Sequence, residues 1–147
     1  MKKILIVEDD TSISEELKNL LDNAGYNGVI LKDFENSYEE IKRENPDLIL
    51  LDINIPKLNG EMLLQKIRKE SNVPIIMVTS KNTETDEVLS LSYGANDYIT
   101  KPYNPTILLL RINNWCNSFL FTFTIVFLHY IIDYKYNIIE KINSQLW

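Results

Sequence analysis

Five side chains in this sequence stand just behind short apolar runs, and together they could do phosphoryl chemistry. Glu8 and Asp9 follow K-I-L-I-V, Asp52 follows L-I-L-L, Thr79 follows I-I-M-V with Ser80 beside it, and Lys101 follows D-Y-I-T. Three carboxylates brought together repel one another unless a positive charge lies among them. Oxygen donors without His or Cys favour Mg²⁺ over zinc or copper. A metal and an ammonium group neutralise phosphoryl oxygens, and a carboxylate can attack phosphorus to form an acyl phosphate.

The elements that must position these groups can be read from the spacing of apolar residues. Lys3–Val7 is a nearly unbroken apolar run, as a buried parallel strand requires. Ile13, Leu17, Leu20, Leu21 and Ala24 repeat at helical spacing, with Asp10, Thr11 or Ser12 able to cap the helix and Gly25 to stop it. Further strands are expected at 28–31, 47–52, 74–78 and 97–99, and further helices at 34–44, 61–70 and 84–92, with Asn104-Pro105 opening a fifth. Parallel strands need crossovers, so this alternation predicts an α/β fold, a doubly wound five-stranded parallel sheet with helices on both faces. Sites in such sheets form beyond the carboxyl ends of the strands, where all five groups fall.

At those residues the sequence resembles the receiver domain of bacterial two-component response regulators. The resemblance is carried by I-V-E-D-D at 6–10, L-L-D-I-N-I-P-K-L-N-G at 50–60, V-T-S at 78–80 and G-A-N-D-Y-I-T-K-P-Y at 94–103. It covers roughly residues 2–114 and implies a flavodoxin-like sheet of order 2-1-3-4-5. Carried over by position, Asp52 resembles the phospho-accepting aspartate. Glu8 and Asp9 resemble the acidic pair that holds Mg²⁺ with Asp52, and Asn54 would lend its backbone carbonyl. Thr79 resembles the switch hydroxyl, Tyr98 the switch aromatic and Lys101 the phosphate-pairing lysine. Ser80 stands where alanine is common and bears on phosphate lifetime. The resemblance also implies a cis Lys101-Pro102 bond and a phosphohistidine donor on a sensor histidine kinase. Such a protein is a phosphorylation switch and not an enzyme in the usual sense, catalysing only its own phosphorylation and dephosphorylation.

Several of these residues also have plain readings. Asp10 lies one position beyond the acidic pair and reads as a helix N-cap. Tyr98 could close the sheet edge, and Lys101 alone would be a solvated charge. His129 sits in an apolar run and receives no role. A phosphatase of similar topology would show a second Asp two residues after Asp52, where Asn54 stands.

The closest subgroup resemblance is to regulators with a winged-helix output domain, whose active homodimers use charges on the fourth helix, fifth strand and fifth helix. Asp97 and Arg111 fit that pattern as a salt-bridge pair. Ile107 stands where an acid is common and Glu87 where a base is common, so the charge pattern is incomplete.

Composition divides the 147 residues in two. Residues 1–106 hold 19 of the 21 acids, all four glycines and all five prolines, and carry a net −7. Residues 107–147 hold nine of the fifteen aromatics and a net +1, with no Gly, Pro or Ala. The overall charge of −6 argues against nucleic acid as a direct partner, and the single cysteine excludes a disulfide framework. The N-terminus reaches acids after four apolar residues, which is unlike a signal peptide and places this part in the cytoplasm.

The expected division is a receiver at 1–114 and an atypical hydrophobic tail at 115–147. Residues 112–132 contain no Asp, Glu, Lys or Arg. Three readings stand for the tail. It is a membrane-tethering helix, diluted by Asn, Thr and His. It is a partner-binding strand in which Phe119, Phe121, Phe123, Ile125 and Phe127 alternate. Or it is out-of-frame translation of a longer regulator gene, the reading favoured by the 22 Phe, Ile, Asn, Tyr and Lys among its 41 residues. Function follows as phosphorelay through Asp52 in a chain derived from a transcriptional regulator, against the alternative of a stand-alone or membrane-tethered adaptor without a DNA target.

Overall fold

A computed structural model describes residues 1–55, 58–80 and 84–117. The main sheet consists of β1 (Lys3–Val7), β2 (Asn27–Ile30), β3 (Leu48–Leu51), β4 (Ile75–Thr79) and β5 (Asp97–Thr100), numbered within that sheet alone. Each is followed by a helix: α1 (Thr11–Asn23), α2 (Ser37–Glu44), α3 (Gly60–Arg68), α4 (Glu84–Ser92) and α5 (Pro105–Cys116). A two-residue antiparallel ladder, Asn54–Ile55 against Leu58–Asn59, lies between β3 and α3. The strands of the main sheet are all parallel and lie in the order β2-β1-β3-β4-β5. The expected doubly wound sheet and its order are therefore found.

The continuous apolar runs are explained by burial on both faces. Along β1, Ile4 and Ile6 face one layer and Leu5 and Val7 the other. The first layer packs Leu17 and Leu21 of α1 and Leu108 and Ile112 of α5 against Leu48, Leu50, Ile76 and Val78. The second packs Ile41 of α2 and Leu63, Leu64 and Ile67 of α3 against Ile49, Leu51, Ile75 and Met77. Trp115 and Cys116 pack partly against the first layer, so α5 continues past Asn114.

Asp10 is the N-cap of α1, its Oδ1 accepting from the backbone N–H groups of Ser12 at 2.8 Å and Ile13 at 3.1 Å. That satisfies two of the donors a helix start leaves open. The second helix begins three residues later than its periodicity predicts. Asp33 accepts from both the backbone N–H and the side-chain amide of Asn36, which holds residues 33–36 in a turn.

Register places the site. Val7 of β1 lies opposite Leu51 of β3, so Glu8 and Asp52 emerge side by side. Thr79 of β4 lies opposite Thr100 of β5, and the Lys101 N–H donates to the Thr79 carbonyl at 2.8 Å. The readings for residues 118–147 lie outside the described residues. Among those described, no helix is long and apolar enough to cross a membrane.

Candidate functional site

Beyond the carboxyl ends of β1, β3 and β5, two buried carboxylates share one ammonium group. Lys101 Nζ donates to Glu8 Oε2 in a short contact and to Asp52 Oδ2 at 2.7 Å. The second oxygen of each acid is held by backbone, since Glu8 Oε1 accepts from the Asp10 N–H at 3.2 Å and Asp52 Oδ1 from the Asn54 N–H at 2.9 Å. Both acids have backbone conformations fixed by the sheet and rotamers fixed by these bonds. That is the preorganisation a reacting group needs.

Burial is the largest influence on Glu8 and on Lys101. It pushes the Glu8 carboxyl above its ordinary range, and the bonds from Lys101 and the Asp10 N–H offset only part of that. Burial alone would lower the Lys101 ammonium, yet its bonds to Asp52 and Glu8 hold it above the usual lysine value. The site is thus built to keep a positive charge among its acids.

Thr79 is fully buried at the end of β4, and the side-chain amide of Asn54 reaches its hydroxyl at 3.5 Å. Ser80 next to it is exposed. Asp9 is exposed as well, while Glu8 is turned inward, so the two adjacent acids have different environments. Tyr98 is buried within the second core layer, and Asp97 forms an ion pair with Arg111 inside the same chain. Lys101-Pro102 is cis, as the resemblance implies.

Gly60 shows how closely the following loop returns over Asp52. A Cβ there would stand 2.4 Å from the Asp52 carbonyl oxygen and 2.8 Å from Ile53 Cα, so only glycine fits. Two supporting residues went unnoticed in the sequence. Buried Glu40 accepts from the N–H groups of Lys32 and Asp33, closing the end of β2. Arg68 donates to the carbonyls of Gly94 at 2.6 Å and Val73 at 2.7 Å, and to Asn96 Oδ1 at 2.7 Å. Neither could be found by spacing, because Glu40 and most of the Arg68 bonds meet backbone groups, which no residue type marks, and the one side-chain partner, Asn96, lies 28 residues from Arg68.

A doubly wound sheet that ends in buried acids, a bridging lysine and a buried hydroxyl defines a class of phospho-accepting signalling domain. The chain belongs to the response regulator receiver domain family, whose sequence model matches residues 4–113. It is 41% identical over 110 residues to the uncharacterized transcriptional regulatory protein YclJ of Bacillus subtilis, covering 75% of this chain and 48% of that one. It is 38% identical over 112 residues to the sensory transduction protein RegX3 of Mycolicibacterium smegmatis, covering 76% and 49%. The chain therefore spans about half the length of the curated relatives it matches. Among solved structures, the BeF3-activated receiver domain of Klebsiella pneumoniae RstA aligns with a TM-score of 0.74 at 35% identity, covering 78% of this chain and 97% of that domain.

Receiver domains are phospho-accepting regulators that take phosphoryl groups from sensor histidine kinases, and they generally bind Mg²⁺ at the phosphorylation site. The donors of this chain fit such a cation by type, being carboxylate and carbonyl oxygens with no His or Cys among them. Their present arrangement is the lysine-paired one. Among the described residues no three acids, His or Cys are spaced to enclose a metal.

Proposed function

We propose that this chain accepts a phosphoryl group on Asp52 from a phosphohistidine of a sensor histidine kinase in the cytoplasm, with residues 1–114 as the receiver. The observation that carries the reading is Lys101 held between Glu8 and Asp52. A carboxylate oxygen of Asp52 attacks phosphorus, the phosphorus–nitrogen bond breaks, and the imidazole leaves with its electron pair. The product is an acyl phosphate on Asp52.

Lys101 supplies a fixed positive charge to the new phosphoryl oxygens, which draws its ammonium from Glu8. Glu8, Asp9, Asp52 and the Asn54 carbonyl would hold Mg²⁺, which when bound neutralises charge on the phosphoryl oxygens. Thr79, now buried at the end of β4, turns its hydroxyl toward the added group, and Ser80 at the site mouth sets how readily water reaches it. Tyr98 responds to the space Thr79 leaves. These shifts bias the surface of α4, β5 and α5 between two states. Water later cleaves the acyl phosphate in the same site, returning the chain to its first state. Pairing of two copies through this surface would draw on Asp97 and Arg111, which must first release one another.

Incubating the chain with acetyl phosphate and Mg²⁺ tests the assignment by intact-mass measurement. A single phosphoryl adduct is expected on the wild type and none on Asp52→Asn. Equal modification of the two would overturn it.

A further inference from the structure

Helices α2 and α3 leave a groove of about 690 Å³ between them. Its floor is apolar, with Leu63 buried and Tyr38 only 8% exposed. Its rim is charged by halves. Glu35 and Glu39 stand on the wall where α2 begins, and Lys66 and Lys69 on the α3 wall, all four of them exposed. Met62 lies four and seven residues before those lysines, in the same stripe of α3, and is 68% exposed.

Neither half of the rim is neutralised. Beside the groove, Lys42 of α2 and Glu70, just past α3, are paired at 2.9 Å. None of the four rim charges forms an ion pair among the described residues. Their signs suit the helix ends they occupy, but no opposite side chain meets them. The Lys66 ammonium lies 4.2 Å from the centre of the Tyr38 ring, whose negative face attracts it without cancelling its charge.

A surface with acids along one wall and lysines along the other is complementary to itself. In a symmetric dimer the same patch meets its own copy across a two-fold axis. An axis running along the groove sets the acids of each copy against the lysines of the other. An axis across the groove would set like against like. A partner of one sign would satisfy one wall and be repelled by the other, so the division of charge favours a second copy.

We propose that the groove between α2 and α3 is a self-association surface, in which two copies meet across a two-fold axis along the groove and Met62 of each enters the groove of the other. This face is built from α2 and α3 alone, and is separate from the surface of α4, β5 and α5. It does not rest on phosphorylation of Asp52. The test contains no phosphoryl donor, so either reading can fail without the other.

Sedimentation velocity of the full chain, from about 1 μM to about 1 mM, reads the association. Wild type should pass from monomer to dimer within that range. Reversing one wall, by Lys66→Glu with Lys69→Glu or by Glu35→Lys with Glu39→Lys, should weaken the dimer by about tenfold or more, because like charges then face each other at both contacts. An equimolar mixture of the two double variants should pair again, at least as tightly as wild type. Met62→Gln keeps every charge and should weaken the dimer by about fivefold or more, which decides the matter if a charge variant does not fold. The proposal is overturned by a wild type still monomeric at the highest concentration, or by charge or Met62 variants that pair as wild type does. A mixture of the two double variants that stays monomeric overturns it as well.

Discussion

Helices α1 and α3 turn leucines and an isoleucine onto the sheet and begin at side-chain caps, Asp10 and Asn59. Helix α4 turns a serine inward, and α5, although it buries Leu108 and Ile112, leaves Ile107 and Leu110 in solvent. The same sheet therefore carries one pair of helices, those after β1 and β3, with a single good seat, and another, those after β4 and β5, that is less committed. The strands before the first pair lead into Glu8 and Asp52, which Lys101 bridges. On the proposed reading, the second pair and β5 supply the surface that changes after phosphoryl transfer. Stability is distributed to suit, since elements that move are drawn from the weakly held part of a fold.

Lys101 joins the two regions, reaching from the end of β5 to acids on β1 and β3. Removing it should break the comparison most sharply. Lys101→Ala leaves two buried carboxylates without their cation and should cost about 3–5 kcal/mol at neutral pH by chemical denaturation. The sign with pH follows from the two shifts. The raised lysine contributes stability that is fully present below its ordinary value of 10.5 and lost as pH rises through the raised one. The raised Glu8 makes ionisation unfavourable as pH climbs above its ordinary 4.5. Lys101→Ala should therefore approach wild-type stability as pH falls through the carboxylate range and diverge from it as pH rises. A deficit that is constant from pH 4 to pH 8 would show that the ion pair is not its source.

Core truncations sharpen the contrast between the two pairs. Leu64 of α3 is fully buried, and Leu64→Ala should cost about 2–5 kcal/mol. Leu110 of α5 is 58% exposed, and Leu110→Ala should stay within about 0.5 kcal/mol of wild type. Equal losses in urea titrations would mean that α5 is held by contacts as firm as those of α3.

The smallest effect is expected away from the site. Asp47 is held below its ordinary 3.8, first by the Lys3 N–H, and Lys2 adds a further bond. A depressed acid contributes stability present above its ordinary value and lost as pH falls through the depressed one. The melting temperature of Asp47→Asn should lie below wild type at pH 7, and the two should converge as pH falls below 3.8 and through the depressed value. Parallel curves would contradict the assignment.

Several boundaries were legible before any coordinates existed. Lys3–Val7 falls where the apolar pattern places it, because a continuous run marks a strand buried on both faces, and the helix Glu84–Ser92 also has the expected bounds. Asp10 is the expected cap. The late start of α2 was not legible, since the turn is made by a side-chain bond between Asp33 and Asn36 that periodicity does not record. The ion pair of Asp97 and Arg111 was legible as a pair of charges, but that it closes within one chain depended on where α5 lies beside β5.

What the sequence determined by itself is the alternation of strands and helices and the set of groups at the strand ends, because both are written in local spacing. What only the tertiary structure decided is which of those groups meet. Glu8 and not Asp9 takes the lysine, because the pleat turns successive side chains to opposite sides and register sets Val7 against Leu51. Arg68 meets Gly94, and Ser90 loses its water, because helices pack where the sheet's two faces and the crossovers between strands allow. Those are long-range choices that no local pattern contains.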